Sequence, residues 1–185
     1  MGSLSEEQKQ VILGCLLGDG YMRKKTNAHL QITHSVKQSE YVDWKYKIFK
    51  DLVLTPPKQY KGNAGRIGYR FFTRSLPALT LFYNLFYQHG RKVVPVEIIL
   101  KPLTLAVWFM DDGSRSWNSF YLNSQKFDLQ SQNNLMKALE CMGITSSLHK
   151  DKKYLRLHIN NKGSIRLKKL IEPCVITSMQ YKLLI

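Results

Sequence analysis

The sequence predicts an α+β protein built from two pseudo-equivalent halves, on three observations. An apolar helical run that closes on Asp-Gly occurs twice, VILGCLLGDG at 11–20 and LAVWFMDDG at 105–113, with Asp19-Gly20 and Asp112-Gly113 placed 93 residues apart in a chain of 185. After each run the same order of strand-like and helix-like stretches follows, which is how an internal duplication reads. The charge is duplicated too, with 15 basic and 7 acidic side chains in residues 1–97 and 13 and 6 in residues 98–185. The expected division is therefore 1–97 and 98–185.

The elements can be justified in order. Ser5-Glu6-Glu7-Gln8 has the spacing of a capping box and opens the first helix. A short strand is expected near 20–24, a second at 29–36 (HLQITHSV), and a helix over 39–53, where Tyr41, Trp44, Ile48 and Leu52 recur at helical spacing. Further pairing near 59–61, a strand at 68–74 (GYRFFTR) and a helix opened by Ser75 and Pro77 complete this half. In the second half Pro102 suits a first helical turn, and Leu105 to Met110 leave almost no polar face, so that helix must be buried nearly all round. Strands follow near 113–117 and at 120–127 (FYLNSQKF), then a helix over 131–142 stopped by Gly143. Pairing at 146–149, a strand at 153–160 (KYLRLHIN) and a last helix opened by Gly163-Ser164 finish the repeat.

The formal charge of +15 points to a polyanionic partner. No apolar stretch reaches the ~20 residues of a bilayer span, so nucleic acid is expected and membrane is not. Cys15, Cys141 and Cys174 lack C-x-x-C spacing and sit among apolar neighbours, which argues for small core residues rather than a disulfide or zinc site. In YLRLHI, Leu155, Leu157 and Ile159 alternate with Tyr154, Arg156 and His158, and GYRFFTR alternates more loosely. A sheet with one core face and one basic, hydrogen-bonding face can lie in the major groove. Gln31, Thr33, Arg70, Arg74, Asn123, Gln125, Arg156 and His158 are the candidates for base edges, and Lys24, Lys25, Lys58, Lys61, Lys150, Lys152 and Lys153 for phosphates.

Acids at a helix C-terminus oppose the helix dipole, costing roughly 0.3–1 kcal/mol each, yet Asp19 and Asp112 both stand there. A divalent cation reverses that sign, and carboxylate with free carbonyl oxygen is the hard donor set of Mg²⁺ or Ca²⁺. If the two apolar helices pack together, Asp19 and Asp112 become neighbours. Two such acids holding metal against phosphate describe phosphodiester hydrolysis.

ILGCLLGDG at 12–20 and LAVWFMDDG at 105–113 resemble the two copies of the peptide that names the LAGLIDADG homing endonucleases, and the shared repeat layout extends the resemblance over nearly the whole chain. The single-chain, intron-encoded branch is the nearest in motif. The resemblance implies two αββαββα repeats, motif helices at the interface and antiparallel sheets forming a DNA-binding saddle. It implies a monomer that cuts double-stranded DNA at a long recognition site, leaving short 3′ overhangs. It also implies that Asp19 and Asp112 bind metal by their carboxylates and Gly18 and Asp111 by backbone carbonyls, so that the Asp111 carboxylate is expendable. Lys92 and Lys182 match the lysine placed near each site, Gln125 matches a polar site residue, and His34 is taken as its repeat equivalent. Mg²⁺ is the expected cofactor, with Mn²⁺ able to substitute and Ca²⁺ binding without supporting cleavage. Leu13 and Cys15 depart from the usual motif residues, and the chain ends at Ile185, soon after Lys182. An organelle-encoded product is expected. An RNA maturase acting on intron RNA is the alternative, and a DNA-binding regulator a third reading.

Overall fold

The computed structural model describes residues 3–183. The first repeat runs α1 (Glu6–Leu17), β1 (Tyr21–Lys24), β2 (Ala28–Ser35), α2 (Ser39–Phe49), β3 (Lys58–Lys61), β4 (Ile67–Phe72) and α3 (Pro77–Phe86). A short hairpin follows, β5 (Tyr87–Gln88) and β6 (Arg91–Lys92). The second repeat runs α4 (Pro102–Asp112), β7 (Gly113–Ser116), β8 (Ser119–Leu122), α5 (Leu129–Cys141), β9 (Ser146–Asp151), β10 (Tyr154–Ile159) and α6 (Asn161–Ile171), with a 3-10 turn at Thr177–Lys182 after it. Each repeat is αββαββα, as the resemblance implies.

Local chemistry sets the boundaries. Ser5 and Gln8 close the capping box on α1, and Gly143 stops α5 in the left-handed region at φ 73°. The last helix starts earlier than Gly163-Ser164 suggests, because the Asn160 side chain caps it by accepting from the Gly163 amide. The helix expected over 39–53 ends at Phe49 and continues as a 3-10 turn through Leu52.

The sheets are copies of one another, ordered β1-β2-β4-β3 and β7-β8-β10-β9 and antiparallel throughout. Their register identifies equivalent positions. Tyr21 lies opposite Gln31 and Ile32 opposite Phe71, while Ser114 lies opposite Tyr121 and Leu122 opposite Leu157. Gln31 is thus equivalent to Tyr121, Ile32 to Leu122 and Phe71 to Leu157. His34 then corresponds to Ser124 and not to Gln125, a correction to the sequence alignment.

The two motif helices pack on each other at the centre. A Cβ on Gly14 would come within 2.6 Å of Val107 Cβ and 2.7 Å of the Thr104 carbonyl, so the helices touch backbone to side chain there. A Cβ on Gly18 would collide with the Asp111 side chain. Gly14 and Val107, like Gly18 and Asp111, are 93 residues apart. Equivalent positions therefore face each other across a pseudo-twofold axis. Seven consecutive residues of α4, Thr104 to Met110, are buried, as the absence of a polar face requires. Cys15 is a core residue, whereas Cys141 is exposed at the end of α5, contrary to the expectation for all three cysteines.

Candidate active site

The packing of α1 on α4 brings both Asp-Gly ends to one place. A single ammonium marks it: Lys126 Nζ donates to the Gly18 carbonyl at 2.6 Å and to Asp112 Oδ2 at 2.9 Å, spanning the two motifs. Lys92, carried by the β5–β6 hairpin, donates to the Gly18 carbonyl at 3.2 Å and the Gly20 carbonyl at 2.6 Å. Lys182, in the 3-10 turn after α6, donates to the carbonyls of Met110 at 2.5 Å and Asp111 at 3.0 Å. Each lysine thus rests on the free carbonyls at one helix end, where the dipole is negative.

Burial depresses the pKa of both lysines; for Lys92, with Lys126 nearby adding to the effect, it falls to about 7. Burial also pushes Asp112 up, to about 6 despite the Lys126 ammonium. Asp19 is raised as well, by desolvation and then by the Asp111 carboxylate. Two acids, backbone carbonyls and ammonium groups meet here, and this is a donor set that a hard cation such as Mg²⁺ could use. The oxygens that would hold it, Asp19 and Asp112 carboxylates and the Gly18 and Asp111 carbonyls, are hard donors. Three of the four already accept from an ammonium group.

Asp111 departs from expectation. Its carboxylate is fully buried and makes three bonds: Lys45 Nζ donates to it at 2.8 Å, the Tyr41 hydroxyl at 2.8 Å and the Asp19 amide at 3.0 Å. Burial works against both charges of the Lys45–Asp111 pair, but each outweighs that for the other, leaving Lys45 raised and Asp111 lowered. It is a structural hub rather than an expendable side chain. Nothing in the one-dimensional pattern pairs Lys45 with Asp111, since they lie in different halves.

His34 faces inward from β2 with the core residues Leu30 and Ile32, and not toward the outer face. Burial and the Lys45 charge push its pKa down to about 3, so the ring is neutral. The charged Lys45 ammonium, 3.0 Å from Nε2, must donate there, which leaves the proton on Nδ1, 3.7 Å from Asp19 Oδ2. Those approaches to Asp19 and Asp111 are accordingly dipolar and not ion pairs. Asp19, His34 and Asp111 offer ligand atoms within 4.8 Å of one another, but Asp111 is committed to Lys45 and only Asp19 is substantially solvent-facing.

Gln125 donates to Asp151 Oδ2 at 2.8 Å, and it is the lysine next to it in sequence, Lys126, that reaches the Asp112 carboxylate. Asn123 donates from Nδ2 to the Asp112 carbonyl at 2.9 Å, bracing the end of α4. The other groove candidates on the strands lie on the outer faces, Gln31 and Thr33 on β2, Arg70 on β4, Arg156 and His158 on β10; Arg74, beyond β4, instead donates to the Asp51 carbonyl at 3.0 Å. Lys24, Lys25, Lys61, Lys152 and Lys153 are exposed at strand ends and hairpins; Lys24 also donates to Asn84.

Residues 9–167 match the family model described as the LAGLIDADG DNA endonuclease family. The chain belongs to that family. It is 29% identical to the probable intron-encoded endonuclease 1 of Wickerhamomyces canadensis, over 98% of this chain and 86% of that one. It is 28% identical to the cytochrome b mRNA maturase bI2 of Debaryomyces hansenii, over 97% of this chain and 74% of that one. RecA proteins of mycobacteria also match, this chain spanning about half their length, 47%. The homing endonuclease I-WcaI bound to its DNA recognition sequence superposes with a TM-score of 0.91 at 27% identity, covering 100% of this chain and 88% of that one. Among the described residues no helix is long and apolar enough to cross a membrane.

Proposed function

We propose that this LAGLIDADG endonuclease acts as a monomer on one long double-stranded DNA site. Residues 1–97 and 98–185 would each serve half of that site, cutting both strands to leave short 3′ overhangs. The observation that carries the reading is the convergence of two acid-bearing helix ends on one ammonium, Lys126. Asp19 and Asp112 would hold Mg²⁺, with the Gly18 and Asp111 carbonyls as further ligands. The bound ion supplies polarised water and neutralises charge on the scissile phosphate. Lys92 and Lys182 sit where their amines reach the same oxygens, and with lowered pKa they are suited to accept or share a proton at the phosphate. The lysines of the hairpins and strand ends would hold the DNA backbone, and the outer sheet residues would face the major groove. An organelle-encoded origin and location fit this reading.

The similarity to a maturase gives the RNA reading one specific support. Both acids are present here, which a splicing cofactor does not need. The test is cleavage of the intron-lacking DNA that flanks the reading frame. Wild type with Mg²⁺ should give a double-strand break, and Asp19→Asn/Asp112→Asn should lose at least about a thousandfold in rate, several kcal/mol of transition-state stabilisation. Unchanged cleavage by the double variant would overturn the site; intron splicing by a wild type that does not cleave would favour the RNA reading.

A further inference from the structure

Two arginines on the outer faces of the sheets occupy equivalent places. Arg70 directly precedes Phe71, whose strand partner is Ile32, and Arg156 directly precedes Leu157, whose partner is Leu122. Each guanidinium lies over an aromatic ring from a neighbouring strand. Arg70 is 4.1 Å from the Tyr60 ring centroid, with Phe72 at 5.2 Å on its own strand, and Arg156 is 3.8 Å from that of Tyr121. The platforms are themselves braced: Tyr60 covers the space a side chain at Gly68 would need, and Tyr121 abuts His158, which stacks on His149 at 4.1 Å.

In both arginines Nε is buried and without a hydrogen-bond partner, and neither forms an ion pair among the described residues. Among the described residues these are two of four such buried side-chain atoms. Stacking with Nε covered leaves the terminal Nη1–Nη2 edge as the face each guanidinium presents. Two parallel N–H donors on a rigid plane match the O6 and N7 acceptors of guanine in the major groove. A phosphate contact needs neither the plane nor the stack, since a flexible ammonium serves it as well.

We infer that Arg70 and Arg156 are a matched pair of specificity residues, each reading one guanine, so that the DNA target carries guanines at two positions related by the protein's pseudo-twofold axis. This deepens the endonuclease reading and rests on it. The experiment is selection from a pool of random DNA duplexes by binding in chelator, with the wild-type chain, Arg70→Met, Arg156→Met and the two Arg→Lys variants.

Wild type should enrich a site with one guanine in each half. Arg70→Met should lose preference at one of them by about five- to hundredfold and keep the other, with Arg156→Met the mirror case. Arg→Lys should lose the preference while keeping the salt dependence of binding, because charge is retained and the fork is not. Guanine preference unchanged in the variants would overturn the inference, as would a uniform loss of affinity across sequences with a shallower salt slope. Failure of the wild type to enrich any sequence would instead overturn site-specific recognition itself.

Discussion

The ends of the two motif helices hold equivalent aspartates in unlike surroundings. The Asp19 side chain is 49% exposed and faces a neutral imidazole, while that of Asp112 is 13% exposed and paired with Lys126. The backbone repeats; the electrostatics do not. The reason lies one residue upstream, where the motif places Gly18 in one copy and Asp111 in the other. These positions meet across the axis, and the space beside Gly18 is filled by the Asp111 side chain. A close helix crossing admits one side chain there and not two. Asp111 therefore leans into the first repeat and is met by Tyr41 and Lys45 of α2, whereas α5 buries only neutral polar groups, Ser131, Gln132 and Asn134.

The largest effect should come from breaking that asymmetric contact. Asp111→Ala leaves the Lys45 ammonium buried without its carboxylate and frees the Asp19 amide, so a loss of about 3–5 kcal/mol of stability is expected. Lys45→Met/Asp111→Leu removes both charges and should recover a large part of it. Chemical denaturation of the single and double variants measures this, and a single variant within about 1 kcal/mol of wild type would show that the pair carries no structural weight. The outcome also separates the two acids of the second motif: Asp111→Ala should fail by unfolding, Asp112→Ala by losing activity in a folded chain.

A smaller effect is expected at Lys126, whose counterpart the first site lacks. Lys126→Met removes the partner that draws the Asp112 pKa down, making the second site more like the first. Strand-resolved nicking of a plasmid target at about pH 5 should show about a tenfold loss on one strand, the equivalent of one pKa unit below the pKa, shrinking to about twofold near pH 7, with a smaller loss on the other strand, whose Asp19 also feels the Lys126 charge. Equal losses on both strands would mean that Lys126 serves the shared centre through the Gly18 carbonyl instead.

How legible this was from sequence follows from the range of each interaction. The repeat, the capping box, the buried α4 and the strand alternation are local patterns of spacing, and they appear in the structure close to where the sequence puts them. Asp19 and Asp112 stand out in the sequence because the violation of helix electrostatics occurs twice. Lys45 and Tyr41 do not, because a buried charge pair between halves leaves no periodic trace, and α2 reads simply as amphipathic with two lysines in it, Lys45 and Lys47. Gln125 and Lys126 show the limit at single-residue scale. The chain leaves the β8 strand at Leu122, and the alternation that would have pointed Gln125 at the groove no longer applies three residues later. Pairing His34 with Gln125 implies an offset of 91, whereas the register sets it at 90 on the second strand, because the first hairpin is longer than the second and the offset of 93 at the motifs shrinks beyond it.

The smallest effect concerns protons and metal at the more buried acid. With a folded pKa of about 6 against an ordinary 3.8, Asp112 binds its proton more tightly in the native state. Between those values the folded chain holds more protons than the unfolded one, so this group's contribution to stability falls as pH rises through the window. Above about pH 6 the carboxylate is charged and poorly solvated, which is the form that a divalent cation requires. Mg²⁺ should therefore raise the melting temperature by a few degrees at about pH 7.5 and by much less near pH 5. Asp112→Asn should flatten that pH dependence while leaving the contribution from Asp19, which is more open to water and gains less from the ion. An increment in wild type that is equal at both pH values would mean that Mg²⁺ stabilises the chain elsewhere, and would remove the buried aspartate from the list of its ligands.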